Sequence, residues 1–184
     1  MSSDSDTFVW PADFACTIVV DDIILPNHYN LKFFIEPHYP VTENFAIGFQ
    51  KLKFMIYECL RNSVIINTEN KLLENLKQTK TNIVELPCEP YDFYIGSVLL
   101  AKFITITENY FEIYQLTIDS AVGDRVQYSI CEPREAGLEL MGNHWWNQDD
   151  LSTGSASTLT WDELSLNDTP KFQPMVLQGG KSER

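Results

Sequence analysis

The chain has 184 residues, of which 44% are hydrophobic and 12% aromatic, and its formal net charge is −13. This length suits one domain, with or without an extension, and the hydrophobic content supports a packed core and excludes wholesale disorder. A negative charge of this size repels nucleic acid and anionic membranes and favours a basic partner. We therefore expect no direct binding to nucleic acid or to a membrane.

The acidity lies mostly at the two ends of the chain. Residues 1–31 hold five acidic residues and no basic ones, and residues 135–184 hold eight acidic and three basic ones. Residues 32–134 hold thirteen acidic and ten basic residues, which is the balance of an ordinary domain. This division predicts a polar acidic leader over 1–14, a globular domain over 15–134 and an extended acidic arm over 135–184.

The N-terminal segment does not have the features of a signal peptide. Met1 to Thr7 is polar and lacks a basic residue, and no apolar run approaches the ~20 residues of a membrane helix. Without export we expect a cytoplasmic location and reduced thiols, most of them buried as small apolar side chains. The cysteines are widely separated, at Cys16, Cys59, Cys88 and Cys131.

The first predicted elements are two strands. Cys16 to Leu25 is rich in β-branched residues, which predicts a strand that is interrupted at Asp21–Asp22. Pro26–Asn27 predicts a turn, and Tyr29 to Glu36 predicts the second strand.

The middle of the chain predicts helices separated by short strands. Thr42 is a good N-cap for the clearest helix, which runs to about Asn62 because apolar residues recur there at spacings of three and four. A short strand over 64–66, a second helix beginning after Thr68 and another short strand over 82–86 follow. The apolar positions of the first helix are Phe45, Phe49, Leu52, Ile56 and Leu60.

The last elements of the predicted domain are a helix and a hairpin. Pro90 suits the first position of a third helix, and the alternating segments 110–119 and 126–131 predict an antiparallel hairpin. From Glu132 onward neither a helical nor a strand period is sustained, which is typical of an arm. The sequence therefore predicts a single α+β domain with a small mixed or antiparallel sheet, about three helices and an extended acidic C-terminal arm.

Several segments together resemble a known group of proteins. They are GFQKLKFMIYECLRNSVII at 48–66, EPYDFYIGSVLLAKF at 89–103, GDRVQY at 123–128 and NHWW at 143–146. Their layout resembles that of small uncharacterised proteins encoded by large tailed bacteriophages, over about half of the chain. The resemblance implies a phage setting, with the protein in the host cytoplasm or in the virion. It implies no activity and no functional residues.

No motif in the chain predicts catalysis or a metal site. The glycine spacing of a phosphate-binding loop is missing, and the Cys and His residues lack the spacing of zinc ligands. Asp149–Asp150, close to His144, is a candidate for holding a hard cation or for acid–base work, but a solvated acidic loop is the favoured interpretation. A Cys–His pair that meets only in the fold stays open. We predict no catalytic residue, no metal and no cofactor, and hence a protein that is not an enzyme.

The tryptophans are the best candidates for a functional role, because Trp anchors many protein interfaces. Trp145–Trp146 predicts either an arm that folds back onto the domain or a docking pair, and the two readings are about equal. The segment 159–166 (LTWDELSL) alternates acidic and large apolar residues, as peptide ligands do. The predicted partner-binding residues are Trp145, Trp146, Trp161, Asp162, Glu163 and Leu164.

These observations give three hypotheses of different classes. The first is a phage-encoded interaction protein, either a virion or assembly part or a host-factor binder, whose arms dock onto a protein with a basic or apolar groove, or onto another copy in an oligomer or larger assembly. The second is an acidic inhibitor that mimics nucleic acid and blocks a basic host protein, with binding that weakens steeply with salt. The third is a small hydrolase in which His28, His38 or His144 meets a carboxylate or thiol in the fold.

Overall fold

The computed structural model describes residues 7–38, 43–79, 81–133 and 144–154. The strands pair in one mixed sheet, and helices lie between them along the chain. In chain order the elements are β1 (Phe8–Val20), β2 (Ile23–Pro37), α1 (Glu43–Phe54) continued by a π-helical turn (Met55–Leu60), β3 (Val64–Asn67), α2 (Leu73–Lys77), β4 (Ile83–Leu86), α3 (Asp92–Thr107), β5 (Phe111–Ser120), β6 (Tyr128–Ile130) and a 3-10 turn (Trp145–Asn147).

The sheet combines an antiparallel and a parallel part. Its strand order is β4-β3-β1-β2-β5-β6. The pairs β1–β2, β2–β5 and β5–β6 are antiparallel, whereas β3 runs parallel to both β1 and β4. The prediction of a single α+β domain with a mixed sheet and three helices is confirmed. The arm predicted beyond residue 154 lies outside the described residues.

The first hairpin turns at Asp21–Asp22, so the turn predicted at Pro26–Asn27 is wrong. Both aspartates have positive φ angles, 49° and 63°, as a two-residue hairpin turn of type I′ requires, and Asp tolerates this region better than most residues. Pro26 instead lies within β2, opposite Thr17. It is tolerated there because β5 pairs with β2 only from Tyr29 onward, which leaves Pro26 at an open edge where a proline removes no sheet hydrogen bond.

The main core lies between one face of the sheet and the helices α1 and α3. The apolar spacing that predicted the first helix places Leu52 and Ile56 in this core, where both are fully buried. From α3, Leu100 and Phe103 also contribute fully buried side chains, because α3 is apolar on nearly every face. Phe103 packs edge-on against Phe33 of β2, with 5.1 Å between ring centroids.

A second, smaller core lies on the opposite face of the sheet. Alternation along the strands directs Ile18 and Ile65 into the main core, and their neighbours Val19 and Ile66 to the other side. There Leu73 of α2 covers them. Because α2 has only five residues, it covers the parallel part of the sheet and no more. The sheet face that β2 and β5 present on this side carries polar and half-exposed side chains.

The domain extends beyond the predicted boundaries of 15 and 134 at both ends. β1 begins at Phe8, inside the predicted leader, and Trp10 packs on Phe33 and Phe49 with centroid separations of 5.2 and 4.6 Å. At the other end, the segment 144–154 lies against α3 and the outer edge of β4. Within the part of the chain that the structure describes, none of the helices has the length and apolar character needed to cross a membrane.

Candidate binding site at the carboxyl ends of the parallel strands

The parallel strands end at the same edge of the sheet, and polar loops follow them there. β1 is followed by Asp21–Asp22, β3 by Thr68 to Lys71, and β4 by the loop that holds Glu89. The region outside the carboxyl ends of parallel strands is where ligands commonly bind, because the loops that leave the strands converge there. In this protein they surround an open cleft of about 400 Å³. Its lining residues are Asp21, Asp22, Asn67, Glu69, Asn70, Lys71 and Glu89.

Glu89 links the three loops through hydrogen bonds. Its Oε1 atom accepts a hydrogen bond from Nδ2 of Asn67 at 3.1 Å, and its Oε2 atom accepts one from the backbone N–H of Asp21 at 3.4 Å. The Asn67 side chain in turn accepts the backbone N–H of Glu69 at 3.0 Å. These bonds order the loops around the cleft before any ligand arrives, which lowers the entropy cost of binding.

The cleft carries a strong negative charge. Four carboxylates, those of Asp21, Asp22, Glu69 and Glu89, line it together with one ammonium group, that of Lys71, and this gives a formal charge of −3. Lys71 contacts Asp22 at the rim. A cleft of this charge and size favours a positively charged organic group, such as the side chain of a lysine or an arginine. Among the described residues, no three His, Cys, Asp or Glu side chains are arranged to hold a metal ion.

The two neighbouring tryptophans, Trp145 and Trp146, fold back onto their own domain. Their exposed fractions are 6% and 1%, and Nε1 of Trp145 donates a hydrogen bond to the carbonyl of Glu85 at 2.9 Å. Folding back, one of the two readings that the sequence left open, is therefore the arrangement in the structure. Docking through these rings stays a prediction, and their burial leaves little surface for it. The other predicted partner-binding residues, Trp161, Asp162, Glu163 and Leu164, lie outside the described residues.

A buried lysine holds this segment in place. Lys102 of α3 is fully buried, and its Nζ atom donates hydrogen bonds to the carbonyls of Trp145 and Gln148, both at 2.8 Å, and to Oδ1 of Asp150 at 3.1 Å. Burial lowers the pKa of Lys102, and the Asp150 carboxylate opposes this effect. Partial burial raises the pKa of Asp150, but hydrogen bonds from Ser152 and Lys102 outweigh this, so that the pKa is lowered.

Asp149–Asp150 is thus more than the solvated acidic loop that the sequence favoured. One of its two carboxylates is the counter-ion of a core lysine, while its side chain remains 53% exposed. His144 does not join these acids in a catalytic arrangement. Its ring stacks on Trp146, with 4.5 Å between centroids and an angle of 22°.

A second polar cluster is buried where α3 begins. Asp92, at the first position of α3, accepts hydrogen bonds from Oγ of Ser120 at 3.0 and 2.8 Å, and Ser120 accepts the backbone N–H of Gly123 at 2.9 Å. Burial raises the pKa of Asp92, although the Ser120 bond opposes this. Burial also raises the pKa of the nearby Cys16 thiol to about 12. A thiol held in its neutral form is a poor nucleophile, so this cluster joins β5 to α3 and is not suited to thiol chemistry.

The three histidine candidates lie apart from one another, and His28 is the one that contacts a carboxylate among the described residues. His28 lies on β2, where its Nε2 atom is 3.3 Å from Oδ2 of Asp13. His38 follows the end of that strand, and His144 stacks on Trp146 in the segment beside α3.

Neither a protein-family model nor a curated protein matches this sequence. The solved structures that resemble the fold include the following two. One is an uncharacterised protein of Wolinella succinogenes, 12% identical, with a TM-score of 0.48 over 68% of this chain and 97% of that chain. The other is a catalytic-residue mutant of 6-pyruvoyltetrahydropterin synthase of Plasmodium vivax, 11% identical, with a TM-score of 0.45 over 68% of this chain and 96% of that chain.

This comparison contradicts the prediction that the protein is not an enzyme, because one of the two similar chains is a synthase. The exclusion of enzymatic activity, which rested on the lack of sequence motifs, is therefore withdrawn. At a TM-score of 0.45 the likeness assigns no activity to this chain.

Proposed function

We propose that the protein binds a basic protein partner and that lysine or arginine side chains of the partner enter the acidic cleft at the carboxyl ends of β1, β3 and β4. The observation that supports the proposal is the composition of the cleft, which is lined by four carboxylates and one ammonium group. The charge of the whole chain supports it, because a protein of charge −13 attracts a basic partner over long distances. The phage setting and a role in the virion or on a host factor stay predictions.

The proposed docking site lies in the body of the domain and not in the C-terminal arm. The sequence-based hypothesis gave docking to the tryptophans of the arm, but Trp145 and Trp146 contribute to the core. The cleft carboxylates instead border an open space and belong to loops that Glu89 holds together. Because these loops are already ordered, the cleft binds a cation with little further loss of conformational freedom.

Calorimetry with a short lysine–serine peptide tests the proposal. We expect the double variant Asp21→Asn, Glu69→Gln to bind the peptide about fivefold more weakly, because two exposed ion pairs contribute about 1 kcal/mol together. Each amide keeps the size of the side chain that it replaces, and Glu89, whose two carboxylate oxygens order the loops, is left unchanged. Binding should also weaken as salt is added.

The control removes the same charge elsewhere. Glu108→Gln, Glu112→Gln changes two exposed acids outside the cleft, so it lowers the overall charge equally and leaves the cleft intact. Equal weakening in the two double variants would show a diffuse charge effect and would refute a site. Failure of the wild-type protein to bind the peptide at low salt would refute the proposed function altogether.

A further inference from the structure

Large apolar side chains are exposed at the same end of the sheet as the acidic cleft. Ile23 and Ile24, which directly follow the Asp21–Asp22 turn, are 58% and 59% exposed. Three more large hydrophobic residues, Tyr91, Val122 and Val126, are exposed in the neighbouring loops. Scattered single apolar residues on a surface need no explanation, but several at one end beside a charged cleft are typical of an interaction surface.

The register of the sheet explains why this end is uncovered. β5 pairs with β2 only from Tyr29 onward, and β3 pairs with β1 only over residues 17–19. The tip of the β1–β2 hairpin therefore extends past its neighbours. Ile23 pairs with Val20 and Ile24 with Val19, so the two isoleucines lie on opposite faces of the tip, where both side chains remain more than half exposed.

The neighbouring loops lie at this same end through specific contacts. Glu89 accepts the backbone N–H of Asp21, which brings the segment before α3 to the hairpin tip. The backbone N–H of Val122 donates to Oδ1 of Asn27 at 3.0 Å, which places the loop after β5 beside β2. We name the set Ile23, Ile24, Tyr91, Val122 and Val126 the hairpin-end surface.

We propose that the hairpin-end surface and the acidic cleft together dock one segment of a partner protein, in which basic residues alternate with apolar ones. This rests on the proposed function and adds the apolar half of the contact. The basic side chains of the segment enter the cleft, and its apolar side chains pack around the tip of the hairpin, against Ile23 on one face and Ile24 on the other. Charge complementarity selects this occupant, because the acids that line the cleft directly adjoin the isoleucines in the chain.

A second copy of this chain is a poor occupant of the surface. Each copy has a formal charge of −13 and would bring the same acidic cleft towards the other, so like charges would oppose association. Pairing of the two hairpin edges through the main chain is also weak, because Pro26 has no N–H to donate and shortens the usable edge. The contact therefore depends on side chains of a chemically different partner.

The test compares two peptides by calorimetry with the full chain. One alternates lysine and leucine, and the other alternates lysine and serine, so that they share charge and length. We expect the leucine peptide to bind about tenfold more tightly, since leucine burial on the isoleucines adds to the ionic contact. In the double variant Ile23→Ser, Ile24→Ser the preference should disappear, while binding of the serine peptide stays unchanged.

The matched control is Val9→Ser, Ile47→Ser, which removes two exposed apolar side chains outside the hairpin-end surface. It should keep the preference for leucine. Thermal unfolding of both double variants checks that they remain folded.

The two proposals fail in different ways. Equal binding of both peptides to the wild-type chain, or a preference that survives Ile23→Ser, Ile24→Ser, would overturn the apolar half and leave the acidic cleft standing. Lack of binding of the serine peptide would refute the cleft. Sedimentation that shows a dimer dependent on Ile23 and Ile24 would also overturn the inference, because the occupant would then be a second copy.

Discussion

Replacing Lys102 by methionine should weaken the attachment of the segment 144–154 to the domain. The buried ammonium donates hydrogen bonds to the carbonyls of Trp145 and Gln148 and to Asp150. Methionine fills the space of the lysine stem but donates no hydrogen bond. The substitution therefore tests the three polar contacts and leaves most of the packing in place.

The cost follows from what the substitution leaves without a partner. The carbonyl of Gln148 lies in a half-buried hydrogen bond, and leaving it unpaired costs ~1 kcal/mol. The carbonyl of Trp145 still accepts the backbone N–H of Gln148 at 3.3 Å, so losing the ammonium donor costs a further ~1 kcal/mol. Asp150, with its side chain 53% exposed, recovers most of its hydration. We therefore expect a loss of about 2 kcal/mol, which lowers the Tm of a chain of this size by about 4–8 °C.

Removing a buried charge also has a stabilising effect, which opposes this loss. Replacing a whole buried ion pair by apolar residues is often neutral or stabilising, because the desolvation of both charges is then avoided. Here only the cation is replaced, while the two carbonyls and the carboxylate stay. The cost of leaving these acceptors without their charged donor exceeds the desolvation penalty that is avoided when the ammonium group is removed. The net effect is therefore destabilising.

Circular dichroism gives the melting temperature, and tryptophan fluorescence reports the segment itself. Because Trp145 and Trp146 are buried where the segment packs on α3 and β4, their emission should shift to longer wavelength in Lys102→Met before the rest of the domain unfolds. Lys32→Met, at an exposed position of β2, is the control and should leave both signals unchanged. An unchanged Tm and unchanged emission in Lys102→Met would refute the argument.

Two further predictions concern titratable groups in the core. Burial raises the pKa of Asp92 in the fold above its usual 3.8, so the native state binds the proton more tightly than the unfolded state, and stability from this group is present below 3.8 and is lost as the pH rises through the raised value. On going from pH ~4 to neutrality, the wild-type chain should therefore lose stability in urea relative to Asp92→Asn; a difference that stays constant or has the opposite sign would contradict this. The thiols should separate by burial, because the pKa values of Cys16 and Cys59 are both raised to about 12, whereas Cys131 is exposed. A thiol reagent at neutral pH should label Cys131 first and Cys16 and Cys59 only on unfolding, and early labelling of Cys16 or Cys59 would refute their burial.

Local sequence patterns predicted most of the elements but not the order of the strands. Periods of three and four predicted α1, Pro90 predicted a helix close to the start of α3, and alternation predicted β5, because these signals depend on neighbours along the chain. The parallel pairing of β3 with β1 and β4 is a long-range choice that no local pattern encodes. The site depends on that choice, since only the parallel order brings the loop after Asn67 to the turn at Asp21 and to Glu89.

The hairpin turn was mislocated because Pro and Asn in sequence usually indicate a turn. Pro26 and Asn27 lie in β2 because the turn has already formed at two aspartates with positive φ. The sequence does carry a signal for the anchored C-terminal segment. Lys102 stands in the apolar run VLLAKFI, and a single lysine inside an apolar helix predicts a buried cation that needs acceptors from elsewhere in the chain.

The acidic ends of the chain therefore have different uses, although their charge is similar in sequence. In the N-terminal flank, Asp21 follows a strand and faces an open cleft, which keeps a formal charge of −3 although Lys71 pairs with Asp22, so a negative charge is available to a ligand. In the C-terminal flank, Asp150 faces the ammonium group of Lys102, so part of its charge is already compensated within the fold. A count of acids per segment does not separate these cases, because the nearest cation in three dimensions decides whether a carboxylate stabilises its own domain or remains free to bind a partner.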